Sequence, residues 1–399
     1  MLLVSRRTNG EWFTLSEMQN QEKLKEIRRK EIFFCPECGE QVILKIGSKR
    51  ISHFAHRAGS ICADSYERES EYHLKGKITL YKWLVSLGLK PMLEPYYQEI
   101  SQRPDISFVY NNVQYVIEYQ CSAIPEELFM KRTNNYFKAN MVPIWIMSAK
   151  NVKRKGSNKA AFSSFDYLFL TKSPQEQWHI PAFCPVMNTL INLHPFLPLT
   201  VKNVITNYSI IPIEKAQLTD LLNPCWKQPV RIRDWQNEIK KQKNMIPLYG
   251  TPQDKFLQDL YTHTLSPSLL PPEIGLPISN APFIETSILK WQSYILMDVF
   301  QQRRPFSIKE VVQAFRKRIQ TGDIKIRKLP LVKEGNELSA VHEYIQLLFQ
   351  VNYLKKRNQS YFQVARKHDA ETYFEQEKME IDFYQQYGKI ISDRINKVQ

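Results

Sequence analysis

The stretch RPDISFVYNNVQYVIEYQCS, residues 103–122, decides the fold of the chain. Its two halves, Ile106 to Tyr110 and Val113 to Cys121, are rich in β-branched and aromatic residues, which favour strands. Between them stand Asn111 and Asn112, which tolerate the positive φ angles of a two-residue hairpin turn. Such a turn sets the register. Tyr110 then faces Val113, and counting back along both strands brings Asp105 opposite Glu118. Opposed residues hold their Cβ atoms about 4.5 to 5.5 Å apart, so both carboxylates are expected to grip one divalent cation, Mg²⁺ or Mn²⁺. Gln120 shares the face of Glu118 by strand alternation. Two acids and an amide on one face of an otherwise apolar hairpin are costly to bury, and metal binding is the expected compensation.

The segments on either side extend this α/β pattern. Glu71 to Leu87 carries Leu74, Ile78, Tyr81, Leu84 and Val85 at helical spacing and ends at Gly88. Glu71, in its first turn, either points toward the acidic hairpin or is simply an acid favoured by the helix dipole. His73 either contacts phosphate or caps a surface. Downstream, Pro125 to Lys138 is helical in pattern, with Arg132 and Tyr136 one turn apart on one face. Arg132 can clamp a nucleic-acid phosphate, or it is a surface arginine over a buried tyrosine. The apolar run Pro143 to Met147 suits a central strand covered on both faces.

Further upstream, FFCPECGEQVILKIGSKRISHFAHRAG, residues 33–59, holds a compact set of metal-type ligands. Cys35 and Cys38 form a Cys-x-x-Cys turn followed by Gly39, and His53 and His56 follow a strand-like bridge from Gln41 to Ile46. Two ligands from a turn and two from a second short element predict a closed, structural zinc site, with Cys62 as a substitute ligand. No βαβ pattern surrounds the pair, so a redox role is disfavoured.

The chain has 399 residues, 43% of them apolar and 24% charged, as in a packed protein of two or three domains. Lysine and arginine number 55 against 40 acids, a formal charge of +15 that favours a polyanionic partner, although an ordinary basic surface gives the same excess. Six cysteines with only one close pair make no disulfide framework and fit a reducing compartment. The N-terminus reaches Arg6 without an apolar signal stretch, and no segment approaches the roughly 18 apolar residues of a membrane span, so a cytoplasmic protein is expected.

Three regions are predicted: a ligand-rich module over 1–66, an α/β domain over 67–170, and a mainly helical region over 175–399. The polar run holding Lys150, Lys153, Arg154, Lys155 and Lys159 suits a solvated or phosphate-contacting loop. Five prolines between Pro267 and Pro282 predict a linker. Trp226 to Lys243 mixes tryptophans and bases, suited to single-stranded nucleic acid or to a core with a solvated helix face. Helical patterns at Ser287 to Phe300, Ser307 to Ile319 and Ser339 to Val351 precede a basic-tipped hairpin, Tyr353 to Phe362. That is the order of a winged helix, with a protein-docking helical module as the alternative.

Asp105 after Arg103-Pro104, with Ile117-Glu118-Tyr119-Gln120 beyond, resembles the PD-(D/E)XK nuclease core, in a variant with glutamine where lysine usually stands. More closely, roughly residues 30 to 150 resemble the competence protein CoiA family. The matching segments are CPECGEQVILKIGSKRISHFAHRAG, SEYHLKGKITLYKWL, RPDISF, YVIEYQCSAI and KRTNNYFKANMVPIWIM. The resemblance implies a cytoplasmic bacterial protein that handles incoming DNA, with a zinc-ribbon-like N-terminal module ahead of a nuclease-like domain. It also implies Asp105, Glu118 and Gln120 as catalytic residues assisted by Glu71 as a third carboxylate near the metal, and contacts from His73, Arg103 and Arg132 to DNA. Arg132 stands where RecB-like nucleases usually carry glutamine ahead of the tyrosine. The function so implied is Mg²⁺-dependent hydrolysis of DNA during transformation, in company with recombination or competence proteins. A DNA-binding recombination accessory without turnover is the main alternative, and an RNA-processing nuclease a third.

Overall fold

The computed structural model describes residues 2–15, 20–47, 51–57, 59–60, 62, 70–224, 229–302, 304–366 and 370–396. Two compact units emerge: Met1–Val152 with Ile180–Asn192 and Ser209–Pro224, and Lys153–His179 with Leu193–Tyr208 and Cys225–Gln399. The division does not follow the boundary expected near residue 170, because the chain returns to the first unit after leaving it.

The first unit opens with strands β1 (Val4–Arg7) and β2 (Trp12–Thr14), helix α1 (Gln21–Lys30), and strands β3 (Phe33–Phe34), β4 (Gln41–Lys45) and β5 (His53–His56). The strands form one antiparallel sheet in the order β2-β1-β3-β4-β5. Asn20 caps α1 by accepting from the Glu22 and Lys23 amides, and Arg28, Arg29 and Lys30 complement the dipole at its other end. The rings of Phe13, Phe33 and Phe54 pack together and give this small module its core.

Helix α2 (Glu71–Ser86), capped by Ser70, is followed by β6 (Met92–Leu93), β7 (Ile106–Tyr110), β8 (Val113–Gln120), α3 (Glu126–Lys138) and β9 (Met141–Ser148). Strands β6, β7 and β8 are antiparallel, and β9 returns parallel to β8 through α3. This helix, three-strand meander, helix and parallel strand is the α/β order expected of a nuclease-like core. The hairpin follows its predicted register from Tyr110↔Val113 to Ile106↔Ile117, with Asn111 and Asn112 at φ 49° and 60°. Odd residues of β8 face α2, where Ile117 and Tyr119 share a core with Leu74, Leu80 and Leu84, and even residues face α3. On its far side β9 pairs in parallel with Ala182 and Phe183.

Beyond β9 come β10 (Lys153–Arg154), β11 (Lys159–Ala161), β12 (Thr171–Lys172), β13 (Trp178–Cys184), β14 (Thr189–Pro198), β15 (Asn203–Pro212) and the short helix α4 (Leu218–Leu222). The expected basic loop is in fact the β10–β11 hairpin. The second unit continues with α5 (Ile232–Tyr249), α6 (Lys255–Thr262), α7 (Ile288–Asp298), α8 (Ile308–Gln320), α9 (Glu337–Gln350), β16 (Leu354–Lys356), β17 (Phe362–Val364) and α10 (Tyr373–Ile395).

The proline-rich segment is no linker. Residues 270–278 are all buried, in the main core of the second unit. Proline forbids regular pairing here, and buried side chains take over the backbone hydrogen bonds. The Gln292 amide accepts from Gly275 N and Leu276 N and donates to Leu276 O. Lys243 Nζ donates to Leu270 O and Pro271 O, Tyr344 to Glu273 O, and Trp235 Nε1 to Gly275 O. Trp235 and Lys243 are therefore core residues and not a surface for stacking bases, while Trp226 and Lys227 lie outside the described residues.

Candidate functional site

Three acids follow the paired ends of three neighbouring strands, but they do not share one face as expected: Glu94 and Asp105 turn to Lys77 of α2, whereas Glu118 turns to Arg132 and Tyr136 of α3. The rung Leu93↔Ile106↔Ile117 crosses β6, β7 and β8 and is the last paired one, so Glu94, Asp105 and Glu118 each stand one residue beyond it. The Glu94 amide donates to Asp105 O at 2.9 Å, and the Tyr119 amide donates to Asp105 Oδ2 at 2.8 Å.

Asp105 and Glu94 share Lys77, while Glu118 has donors of its own. Asp105 Oδ1 lies 3.4 Å from Lys77 Nζ, and Oδ2 lies 3.3 Å from His73 Nε2. Glu94 takes Lys77 Nζ at 2.5 Å on Oε1 and the Leu3 amide at 2.8 Å on Oε2. Glu118 Oε1 receives Arg132 Nη2 at 2.6 Å and the Tyr136 hydroxyl. His73 and Lys77 are one turn apart on the face of α2 turned to the meander, and Arg132 and Tyr136 are one turn apart on α3. Burial pushes the Asp105 carboxyl up, but Lys77 and His73 more than offset this and hold it well below the usual carboxylate range. Burial and the neighbouring Glu118 push the Tyr136 hydroxyl well above its ordinary value, so it remains a donor.

The predicted residues fare differently. Gln120 is 9% exposed and its amide donates to Ser122 O, which fixes its orientation beside Glu118. Arg103 reaches Glu37 at 3.8 Å, inside the Cys-x-x-Cys turn, and its carbonyl accepts from Arg132. Glu71 is exposed; at about 100° per residue it lies roughly opposite His73 around the helix, away from the acidic row. The third acid at the row is Glu94, which the sequence hides: it follows a two-residue strand and takes φ 49°, so no periodicity marks it. Lys77 is hidden too, because a lysine in an amphipathic helix reads as surface, yet it is 1% exposed.

Among the described residues, metal-type side chains gather in groups of three or more only in the N-terminal module. Cys35, Cys38, His56 and Cys62 hold their ligand atoms within 4.8 Å of one another. His53 is not in the group, and its Nδ1 lies 2.9 Å from Ile51 O. The reason is strand alternation: His53 and His56 are three residues apart on β5, so only one can face the cysteines, and Cys62 completes the set. Gly39 at φ 72° closes the turn, its amide donating to Cys35 O. Burial pushes the Cys35 thiol up, and three soft sulfurs with one imidazole nitrogen suit a structural Zn²⁺. Glu94, Asp105 and Glu118 form no such group: Asp105 meets Lys77 and His73 while Glu118 meets Arg132 and Tyr136, so the shared cation site expected from the hairpin register is not assembled by these side chains as they stand.

Comparison with known proteins covers most of the chain. Residues 16–65 match the family model described as competence protein CoiA, N-terminal domain; residues 69–226 match its nuclease-like domain; residues 232–378 match its C-terminal domain. The competence protein CoiA of Bacillus subtilis (strain 168) is 30% identical over 349 residues, which is 86% of this chain and 91% of that protein. No solved structure matches.

Proposed function

The chain belongs to the competence protein CoiA family, and from that premise we propose that it is a cytoplasmic deoxyribonuclease acting on DNA during transformation. The observation that supports the reading is the buried Lys77 between Glu94 and Asp105, with Glu118 on the neighbouring strand held by Arg132 and Tyr136. Asp105 and Glu118 would hold Mg²⁺ or Mn²⁺, which when bound polarises a scissile phosphate and acidifies a water. Asp105 is kept ionised for that task by Lys77 and His73. Gln120 brings no charge to the position where the PD-(D/E)XK pattern has lysine. Lys77, reaching the row from α2, supplies a cation to the same set of carboxylates. Arg132 neutralises Glu118 in the free protein and is the group best set to take a DNA phosphate when the carboxylate turns to a metal. The cysteine and histidine cluster holds a structural Zn²⁺ on this reading, and no helix among the described residues is long and apolar enough to cross a membrane.

A second reading is favoured by one observation: in the free protein both hairpin carboxylates are engaged by cations or hydroxyls of this chain. A DNA-binding recombination accessory would keep that arrangement and never cut. Labelled single-stranded, duplex and branched DNA incubated with Mg²⁺ or Mn²⁺ separates the two. Cutting lost in both Asp105→Ala and Glu118→Ala supports the nuclease; DNA binding with no cutting on any substrate leaves the accessory.

A further inference from the structure

In the second unit, helix α7 leads through Phe306 into α8, then α9, and then the β16–β17 hairpin. Phe306 forms an antiparallel bridge with Phe362 of β17, so the link between α7 and α8 is the third strand of a small sheet. Helix, strand, helix, helix and a two-strand wing, with the first strand paired to the last, is winged-helix topology, in which the third helix and the wing are the usual nucleic-acid contacts.

Part of the third helix is tied to α10. Its exposed edge carries His342, Gln346 and Gln350, and Arg394 of α10 donates to Gln350 Oε1 at 2.7 Å and to Gln346 Oε1 at 3.0 Å. Arg394 also lies 3.6 Å from Glu343. The wing is open. Lys355, Lys356 and Arg357 are all exposed, and no acid occurs from Val351 to Arg366. The register Lys355↔Gln363 continues to Arg357 opposite Tyr361, so alternation puts Lys355, Arg357, Tyr361 and Gln363 on one face, opposite the buried Leu354 and Phe362. The tip is preformed: Asn358 Oδ1 accepts from the Ser360 and Tyr361 amides, and the Arg357 amide donates to Tyr361 O.

We infer that this wing is a second nucleic-acid contact of the chain, one that grips the backbone of duplex DNA through Lys355 and Arg357 with Tyr361 against the sugar or an exposed base. Binding carried by two cations on phosphates is independent of sequence. The inference is independent of whether the acidic row cuts.

The test is fluorescence anisotropy of the full chain with a labelled DNA duplex in EDTA, where no cleavage intervenes. Lys355→Glu with Arg357→Glu is expected to weaken binding about tenfold or more near 0.1 M salt, equally for unrelated sequences, and to lower the slope of log K against log salt by about two. Thermal unfolding of this variant should match the parent, since both side chains are exposed. Gln346→Ala with Gln350→Ala should bind as the parent does. Unchanged affinity and slope in the wing variant, as a protein-docking wing would give, overturns the inference, as does a loss confined to the glutamine variant.

Discussion

Gly76 of α2 lies against the ring of Tyr119: a Cβ at position 76 would fall 2.0 Å from Tyr119 Cε1. Tyr119 cannot swing away, because it is buried and its hydroxyl donates to Phe183 O at 3.1 Å. This contact sets how closely α2 approaches β8, and hence whether His73 and Lys77 reach Asp105. In an open helix Gly→Ala gains up to about 1 kcal/mol. Here Gly76→Ala is expected to lose about 1 to 3 kcal/mol by overpacking, measured by urea unfolding. Unchanged or raised stability would mean the helix and strand can separate freely.

Lys77 is the only cation within reach of Glu94 among the described contacts, and it also faces Asp105. Lys77→Met leaves two buried carboxylates without it, at an expected cost of about 3 to 5 kcal/mol. Adding Glu94→Gln should restore part of that loss. A single variant as stable as the parent in denaturant would show that the ammonium is not needed to hold the row.

Metal content tests the N-terminal cluster. Protein purified without chelator should carry about one zinc per chain, as should His53→Ala, whereas Cys62→Ala and His56→Ala should lose most of it. Zinc retained by Cys62→Ala but lost in His53→Ala would restore the ligand set expected from sequence.

Burial lowers the pKa of His179 to about 4 and that of His194 to about 3. Both are neutral when folded and take up protons more readily when unfolded. Their stabilisation is therefore present above about pH 6.5 and is lost as pH falls toward 4, where His179 alone accounts for on the order of 3 kcal/mol. Urea unfolding of the second unit, followed by the fluorescence of buried Trp235 and Trp291, should weaken steadily over that range. His179→Gln should flatten the slope; a slope unchanged by the substitution would assign the acid sensitivity to other groups.

The hairpin was legible because its turn and its period-two pattern are local: two asparagines fix the register as far as Ile106↔Ile117, whereas which helix takes each acid beyond it, α2 for Asp105 and α3 for Glu118, was not. The three helices and the wing were legible for the same reason. What failed to read was non-local. His53 and His56 look equivalent until strand alternation separates them, and Cys62 joins the cluster from outside the regular elements. Lys77 and Glu94 carry no sign of burial in a local window, since each is tolerable only because the other is there. The prolines correctly excluded helix and strand but said nothing of whether the segment is inside or outside.

That proline segment also sets an order of events in time. Leu270 O is held by Lys243 from α5 and by Gln376 from α10, and the following residues by Trp235, Gln292 and Tyr344. A nascent chain that has emerged only to residue 350 has the segment and most of its partners but lacks α10, with Gln376 and the Glu380 that receives Lys243. Its second unit must wait, with Lys243 and Leu270 O half-matched, until the first two turns of α10, which carry Gln376 and Glu380, leave the ribosome. The Gln346 and Gln350 side chains likewise gain their bonds to α10 only when Arg394 arrives.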